Sequence, residues 1–320
     1  MFRKSIRNWK VLVAGLCLAA ATLSAATSPL QAAHKKPAKA KAAVAAKAPV
    51  SGLFWKATSP TTTIYLLGSI HIGSKAMYPL PAYMEDDFKK STALIVEVDL
   101  TKLDQGKMLT LIADKGKYPE GDTLYNHVSK DTEKQIKSLC EKYSFPEMIF
   151  SGMKPWLASM MAQVLPLLSQ GMQPDLGIDN HFMAEANKMK KPVEQVETAE
   201  FQLNLLASMP DKVQDSYLES VVKQTDTTGG TTMNKLVSDW IKGDSVALAS
   251  TVDDSSGMPE EFSRKLLQDR NVEMVKVAEK YLKGSKPCFF VVGAAHYLGK
   301  EGILELLKKD GYTIQQVLNK

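Results

Sequence analysis

Cysteine and histidine are scarce in this chain: three cysteines and five histidines among 320 residues. Cys17 lies in an N-terminal apolar stretch, which leaves Cys140 and Cys288 for any folded part. Two cysteines do not make a disulfide scaffold. Cys288 opens an apolar run and Cys140 sits in a polar helical pattern, so both read as buried or free thiols. A basic surplus is also missing from the folded part. Of the 40 basic residues, four lie in the first ten positions and five between residues 34 and 50, where there are no acidic residues. The remainder holds 31 basic against 35 acidic residues, a net of −4. The high overall pI therefore arises outside the fold, and a nucleic-acid-binding role loses its main support.

The N-terminus has three parts. Arg3, Lys4, Arg7 and Lys10 form a cationic region, Val11 to Ala26 an apolar one, and small residues surround Ala32 and Ala33. That is the layout of a secretory signal peptide over residues 1–33, with an uncleaved signal anchor as the alternative. Residues 34–50, HKKPAKAKAAVAAKAPV, have no apolar period to bury and read as a solvated tether. Its lysines offer weak contact with an acidic membrane surface. The expectation is an exported, periplasmic or secreted protein with one domain over residues 51–320.

Along that domain the order is strands, then helices, then strands. Gly52 to Lys56 and Thr62 to Gly68 predict a hairpin turning at Thr58 to Thr61, and Ala93 to Leu100 a β-branched strand. Residues from about 102 to 285 are mainly helical by period, interrupted by a short strand at Pro192 to Val196. Thr225 to Thr232 is the best internal loop or hinge. A strand at Cys288 to Val292, a helix and a last strand at Tyr312 to Val317 close the chain. The fold expected is α/β or α+β, with a central mixed sheet from the N- and C-terminal strands and a large helical middle. Met153, Met160, Met161 and Met172 read as core filling, with a methionine-lined groove as the alternative.

Chemistry concentrates at strand ends. IYLLGSIH (64–71) and FFVVGAAH (289–296) align without a gap, each an apolar strand ending in glycine, two residues and a histidine. Glycine lets the backbone turn or a ligand approach closely, and open sheets bind ligands beyond the carboxyl ends of their strands. The pair reads as a trace of internal duplication. In LIVEVDL, Glu97 and Asp99 share one face of the predicted strand, and a carboxylate there needs a partner or a metal. His71, His296 and Glu97 together would make an open metal site with a position left for water. Structural readings stand beside this one: histidines held by core hydrogen bonds, and Glu97 paired with a lysine at the sheet edge. His181, two residues from Asp179 on a predicted helix, reads as a surface or capping residue. His127 reads as solvated, and His34 belongs to the tether.

YLLGSIHIG, LIVEVD, GIDNHFMAEANKMKKPVEQVETAEFQ and VVGAAHYLGKEGI, in this order, resemble the TraB/GumN family, also described with the Tiki and PrgY proteins. The resemblance covers residues from about Leu53 to Val317. It implies an α/β core in which two sheet halves bring the motifs together. Eukaryotic Tiki relatives are membrane-tethered, metal-dependent proteases that cleave secreted signalling proteins near the amino terminus, and a link to erythromycin esterase and haem-binding ChaN-like proteins has been proposed. By motif, His71, His296 and Glu97 are the metal or catalytic candidates, and Asp179, Glu197 and Gln202 the supporting ones. Some relatives carry an arginine shortly after the acidic strand, where DLTKLDQGK offers only lysines.

The expectation is a metal-dependent hydrolase acting on a peptide or small-molecule substrate. Zinc, manganese, cobalt or iron would be bound by His71, His296 and Glu97, with Glu97 or Glu197 taking a proton from water. Asp99, Asp179 and Gln202 would support that set. The alternative is a binding protein that holds a metal, haem or peptide without turnover, or an accessory protein with a vestigial pocket. Both imidazoles should lie together at one strand end with Glu97 alongside.

Overall fold

The structure, a computed structural model, describes residues 49–319 except 229, 230 and 257. The predicted leader and most of the tether, and Gly229–Gly230 at the centre of the predicted hinge, lie outside the described residues; the rest of that hinge, 225–228 and 231–232, is helical rather than loop. The predicted hairpin forms as β1 (Phe54–Thr58) and β2 (Thr63–Ser69), closed by a hydrogen bond from Ser59 N–H to Thr62 O (2.9 Å). β3 (Ala93–Val96), β4 (Val193–Gln195), β5 (Cys288–Gly293) and β6 (Thr313–Gln316) complete one six-stranded mixed sheet in the order β4-β3-β5-β2-β1-β6. β4, β3, β5 and β2 are mutually parallel, whereas β1 runs antiparallel to both β2 and β6. Strands from both ends of the chain thus share one sheet, with β4 contributed by the helical middle.

Alternation along the strands fills both faces of the sheet. On one, Phe289 meets Phe88 of helix Ala82–Lys90 (5.4 Å) and Phe182 of helix Ile178–Lys188 (4.7 Å). On the other, Trp55 packs on Tyr297 at 5.4 Å. β5 is apolar throughout and buried along nearly its whole length, as a strand covered on both faces must be.

The segment expected to be mainly helical forms helices that include Lys130–Lys142, Pro155–Ser169, Ala199–Ala207 and Asp211–Thr228. Pro155 opens its helix at the first turn, where no N–H is needed. Helix Pro155–Ser169 packs on Asp211–Thr228, and Thr231–Lys242 folds back on Ser245–Ser256. Met153, Met161 and Met172 are buried in the core. Cys140 and Cys288 are buried free thiols, and burial pushes the Cys140 thiol up to about 11. No helix among the described residues is long and apolar enough to cross a membrane.

Two other expectations need correcting. The strand expected to reach Leu100 stops at Val96, because Asp99 caps a 3-10 turn at Leu100–Lys102 by accepting the Thr101 N–H (3.0 Å). Near the end of the segment expected to be helical by period, the helices Glu260–Ser263 and Asp269–Leu282 are separated by a π-helical turn at Arg264–Gln268, which breaks that period.

Candidate active site

Four neighbouring parallel strands end on one rim, and each delivers a side chain there. His71 follows β2 by two residues. His296 sits on the 3-10 turn Ala294–Tyr297 that begins where β5 stops. Glu97 is the first residue beyond β3, still tied to the sheet through its N–H to Val291 O (3.2 Å). Its carbonyl accepts the N–H of Glu197 (2.9 Å), two residues beyond β4. The ungapped alignment of the two histidine motifs is not the register of the sheet. Gly68 pairs with Val292 and Ser69 with Gly293, so the motifs run one residue out of step.

Glu97 is the hub of the site. Its Oε1 accepts from Arg270 Nη2 (2.5 Å) and Gln202 Nε2 (2.8 Å), and its Oε2 from the Gly293 N–H (3.0 Å). His71 Nε2 lies 3.8 Å from Oε2 and His296 Nε2 lies 3.9 Å from Oε1. Burial alone would raise the Glu97 carboxyl. The Arg270 guanidinium, aided by both imidazoles and the Gly293 N–H, outweighs it and holds the group well below the usual carboxylate range. Glu97 is therefore ionised at neutral pH.

Each imidazole is oriented from behind. His71 Nδ1 faces Asp179 Oδ1 at 3.2 Å, and that carboxylate is fixed by the Ser69 hydroxyl (2.5 Å). Asp179 stands in the first turn of helix Ile178–Lys188. His296 Nδ1 bonds Asn271 Oδ1 (2.7 Å), whose amide nitrogen donates to Glu301 O (2.8 Å). Asn271 thereby presents an acceptor, so Nδ1 of His296 carries the proton and its Nε2 lone pair faces the site. Burial lowers His296 from its usual 6.5 to about 4, with Arg270 and His71 adding to the effect and Glu97 opposing it. His296 is neutral at physiological pH.

Gly293 explains the gap between these groups. A Cβ added there would lie 3.3 Å from His71 Nε2, 3.4 Å from Glu97 Oε2 and 3.5 Å from His296 Cδ2. The missing side chain is the space on which the three converge.

Arg270 was not among the expected residues. Its guanidinium binds both carboxylates at once: Nε donates to Glu197 Oε1 (2.9 Å), and Nη2 reaches Glu197 Oε2 (2.8 Å) as well as Glu97. Gln202 repeats the bridge, donating to Glu197 Oε2 at 3.0 Å. Composition carried a signal, since only Arg264 and Arg270 follow the leader in a chain rich in lysine. The π-helical turn ends two residues before Arg270, and such turns recur at functional sites. Lys102, in the lysine-bearing segment, instead pairs with Asp99 (2.8 Å). Asp99, expected to share the face of Glu97, caps its own turn and bonds Thr101 and Lys102 instead of the site. His181 pairs with Glu85 (2.7 Å), and His127 stacks on Tyr118 and pairs with Asp122 (2.8 Å).

The polar rim floors a cavity of about 340 Å³ whose walls come from the helical middle. Ser69, His71, Glu97, Gln202, Arg270 and His296 line its floor, and the walls are almost wholly apolar. Met160 lines it, alone among the four methionines of the 153–172 stretch.

Two imidazole nitrogens beside an ionised carboxylate are donor types that suit a divalent ion. Glu97 and Glu197 share the one Arg270 guanidinium, and the Asp179 carboxylate stands behind His71. Among the described residues, however, no group of three or more His, Cys, Asp or Glu side chains is gathered closely enough to hold an ion.

The model of the TraB/PrgY/gumN family matches residues 53–316. The uncharacterized protein YbaP of Escherichia coli is 26% identical over 250 residues, which is 76% of this chain and 87% of YbaP. Metalloprotease TIKI2 of Xenopus tropicalis is 22% identical over 302 residues, covering 78% of this chain and 57% of TIKI2. Metalloprotease TIKI1 of Danio rerio is 20% identical over 302 residues, covering 78% and 60%. No solved structure matches. With a family match spanning nearly all of the described fold and both histidine motifs, the chain belongs to the TraB/PrgY/gumN family.

Proposed function

We propose that this protein is an exported, metal-dependent hydrolase that cleaves peptide bonds. The observation that carries the reading is the convergence of His71 Nε2, Glu97 Oε2 and the His296 ring on the space that a side chain at Gly293 would fill. The relatives named as metalloproteases support it at the level of the family.

On this reading His71, His296 and Glu97 would hold a divalent ion, drawn closer together than they stand here. When bound, the ion supplies Lewis acidity, acidifying water and polarising a carbonyl. Asp179 and Asn271 fix the two rings so that each presents Nε2. Arg270 keeps Glu97 ionised and in place, and Gln202 does the same without charge. Glu197 does not line the cavity and serves by holding Arg270, rather than as a proton acceptor. The apolar walls surround the floor with low-dielectric material, which strengthens the electrostatic interactions there.

The test is metal content and peptide cleavage by the purified protein, before and after chelation. A bound or restorable divalent ion is expected, with hydrolysis abolished by His71→Ala and by His296→Ala. A protein whose metal content and activity ignore both substitutions refutes the reading. A second reading, binding without turnover, draws on the hydrogen bonds that already occupy Glu97. It predicts tight retention of a ligand with no cleavage.

A further inference from the structure

The cavity above the rim is larger than one side chain needs and nearly devoid of polar demand. At about 340 Å³ it falls in the range of roughly 300–1,000 Å³ typical of pockets that enclose a whole small ligand. Trp156, Met160, Leu203, Leu206, Phe262 and Leu266 are representative of its walls. Leu206 and Leu266 are only half-buried, although both stand on segments packed into the fold. The two polar groups in the wall satisfy each other, because Gln163 Nε2 donates to the Tyr217 hydroxyl (3.0 Å). On the floor, the one cation, Arg270, is held between Glu97 and Glu197. Nothing in the walls would answer a charged side chain, and burying one without a partner is costly.

We propose that this cavity is the specificity pocket of the site and takes two adjacent large apolar residues of a peptide, leucine, methionine or phenylalanine, next to the bond presented to the rim. The proposal rests on the peptidase reading for the identity of the substrate, but the pocket's preference is measurable without turnover. A single methylene in such a pocket changes discrimination by roughly 10-fold or more. Exchange of two alanines for two leucines adds six carbons, so binding should tighten by at least about 100-fold even if most of that gain is lost to ordering the peptide, and paired aspartates or lysines should bind more weakly than the alanines.

The experiment uses acetylated hexapeptide amides identical except for a central Leu-Leu, Ala-Ala, Lys-Lys or Asp-Asp pair. Affinity is measured by titration calorimetry on the purified protein with and without added Mn²⁺ or Zn²⁺, and cleavage by mass spectrometry. Leu206→Trp should shrink the pocket and lower the Leu-Leu preference at least 10-fold, and Leu266→Gln should do the same by adding a polar group, with thermal melts confirming both folds. Equal affinity for Leu-Leu and Asp-Asp overturns the proposal, as does a preference that neither folded variant alters. Decanoate binding with no peptide binding overturns it in favour of a lipid chain. Ordered binding without cleavage leaves the pocket standing and removes the hydrolase. Cleavage without order does the reverse.

Discussion

The two histidine motifs are near copies in sequence and do different work. In the first, Gly68 is a packing device. An added Cβ would lie 3.1 Å from Ala294 Cα and 3.3 Å from Leu53 Cβ, and its carbonyl accepts the Trp240 indole N–H (2.7 Å). In the second, Gly293 is part of the site, opening the space between the imidazoles and donating its N–H to Glu97. The rings differ as well. The His71 side chain is 21% exposed and leans on the Asp179 carboxylate, whereas that of His296 is 5% exposed and leans on the neutral amide of Asn271. A repeated motif thus sets equivalent backbone positions, while neighbours from other elements decide what each position does.

The largest effect should come from the residue that serves neither arm alone. Arg270→Met leaves Glu97 and Glu197 buried without their cation, and such a loss costs roughly 3–5 kcal/mol. Urea denaturation should show it, with Arg270→Lys restoring only part, because a lysine cannot bridge both carboxylates with a planar fork. A loss below about 1 kcal/mol would mean that the arms do not depend on this bridge.

Next comes a pH dependence that belongs to the second arm. Unfolded His296 takes up a proton near 6.5, whereas in the fold it resists until about 4. Between those values the unfolded state binds more protons, so stability rises with pH across the window. The full interval corresponds to at most about 3 kcal/mol. Chelated protein should therefore lose stability as pH falls from 6.5 to 4, and His296→Asn should flatten that slope. It should leave the further loss below about 4.5 that Glu97 contributes, since a depressed carboxyl loses its stabilisation as it protonates. An unchanged slope in the variant would show that His296 is not buried neutral.

The glycines give a smaller and more pointed contrast. Gly68→Ala forces a methyl against the Ala294 backbone at the start of the turn beyond β5 and should cost about 1–3 kcal/mol of stability, as overpacking does. Gly293→Ala meets side-chain tips that can shift by tenths of an ångström, so its cost to folding should be lower. Its cost to metal affinity or turnover should be the greater of the two. Thermal melts and metal titration of both variants check the crossing, and a shared rank order in the two measurements would erase the distinction.

Much of this arrangement was legible in the chain. The hairpin, the apolar β5 and the two histidines at strand ends follow from two-residue alternation, glycine placement and the order of elements. What was not legible depends on distance and on weak local signals. Arg270 meets Glu197 and Glu97 from 73 and 173 residues away, so no spacing rule could join them. The bounds of helix Ser245–Ser256, SVALASTVDDSS, could not be read within the helical middle because its small, β-branched and polar residues carry little helical period. Asp99 misled because alternation was extended past the point where its own side chain turns the backbone.

The smallest expected effect would make the first arm resemble the second. Asp179→Asn keeps the size of the side chain and leaves an oxygen to accept from His71 Nδ1, but it removes the charge behind the ring. Groups in this position typically change metal affinity by 10–100-fold. Since His296 already works with an amide partner, a loss near the lower end, about 10-fold, is expected for Mn²⁺ or Zn²⁺ by calorimetry, with the melting temperature nearly unchanged. Unaltered affinity would mean that Asp179 orients His71 without tuning it, and that the chemical difference between the arms lies only in their exposure. A loss far above 100-fold would instead place Asp179 among the ligands, and the first arm would then contribute two donors to the second arm's one.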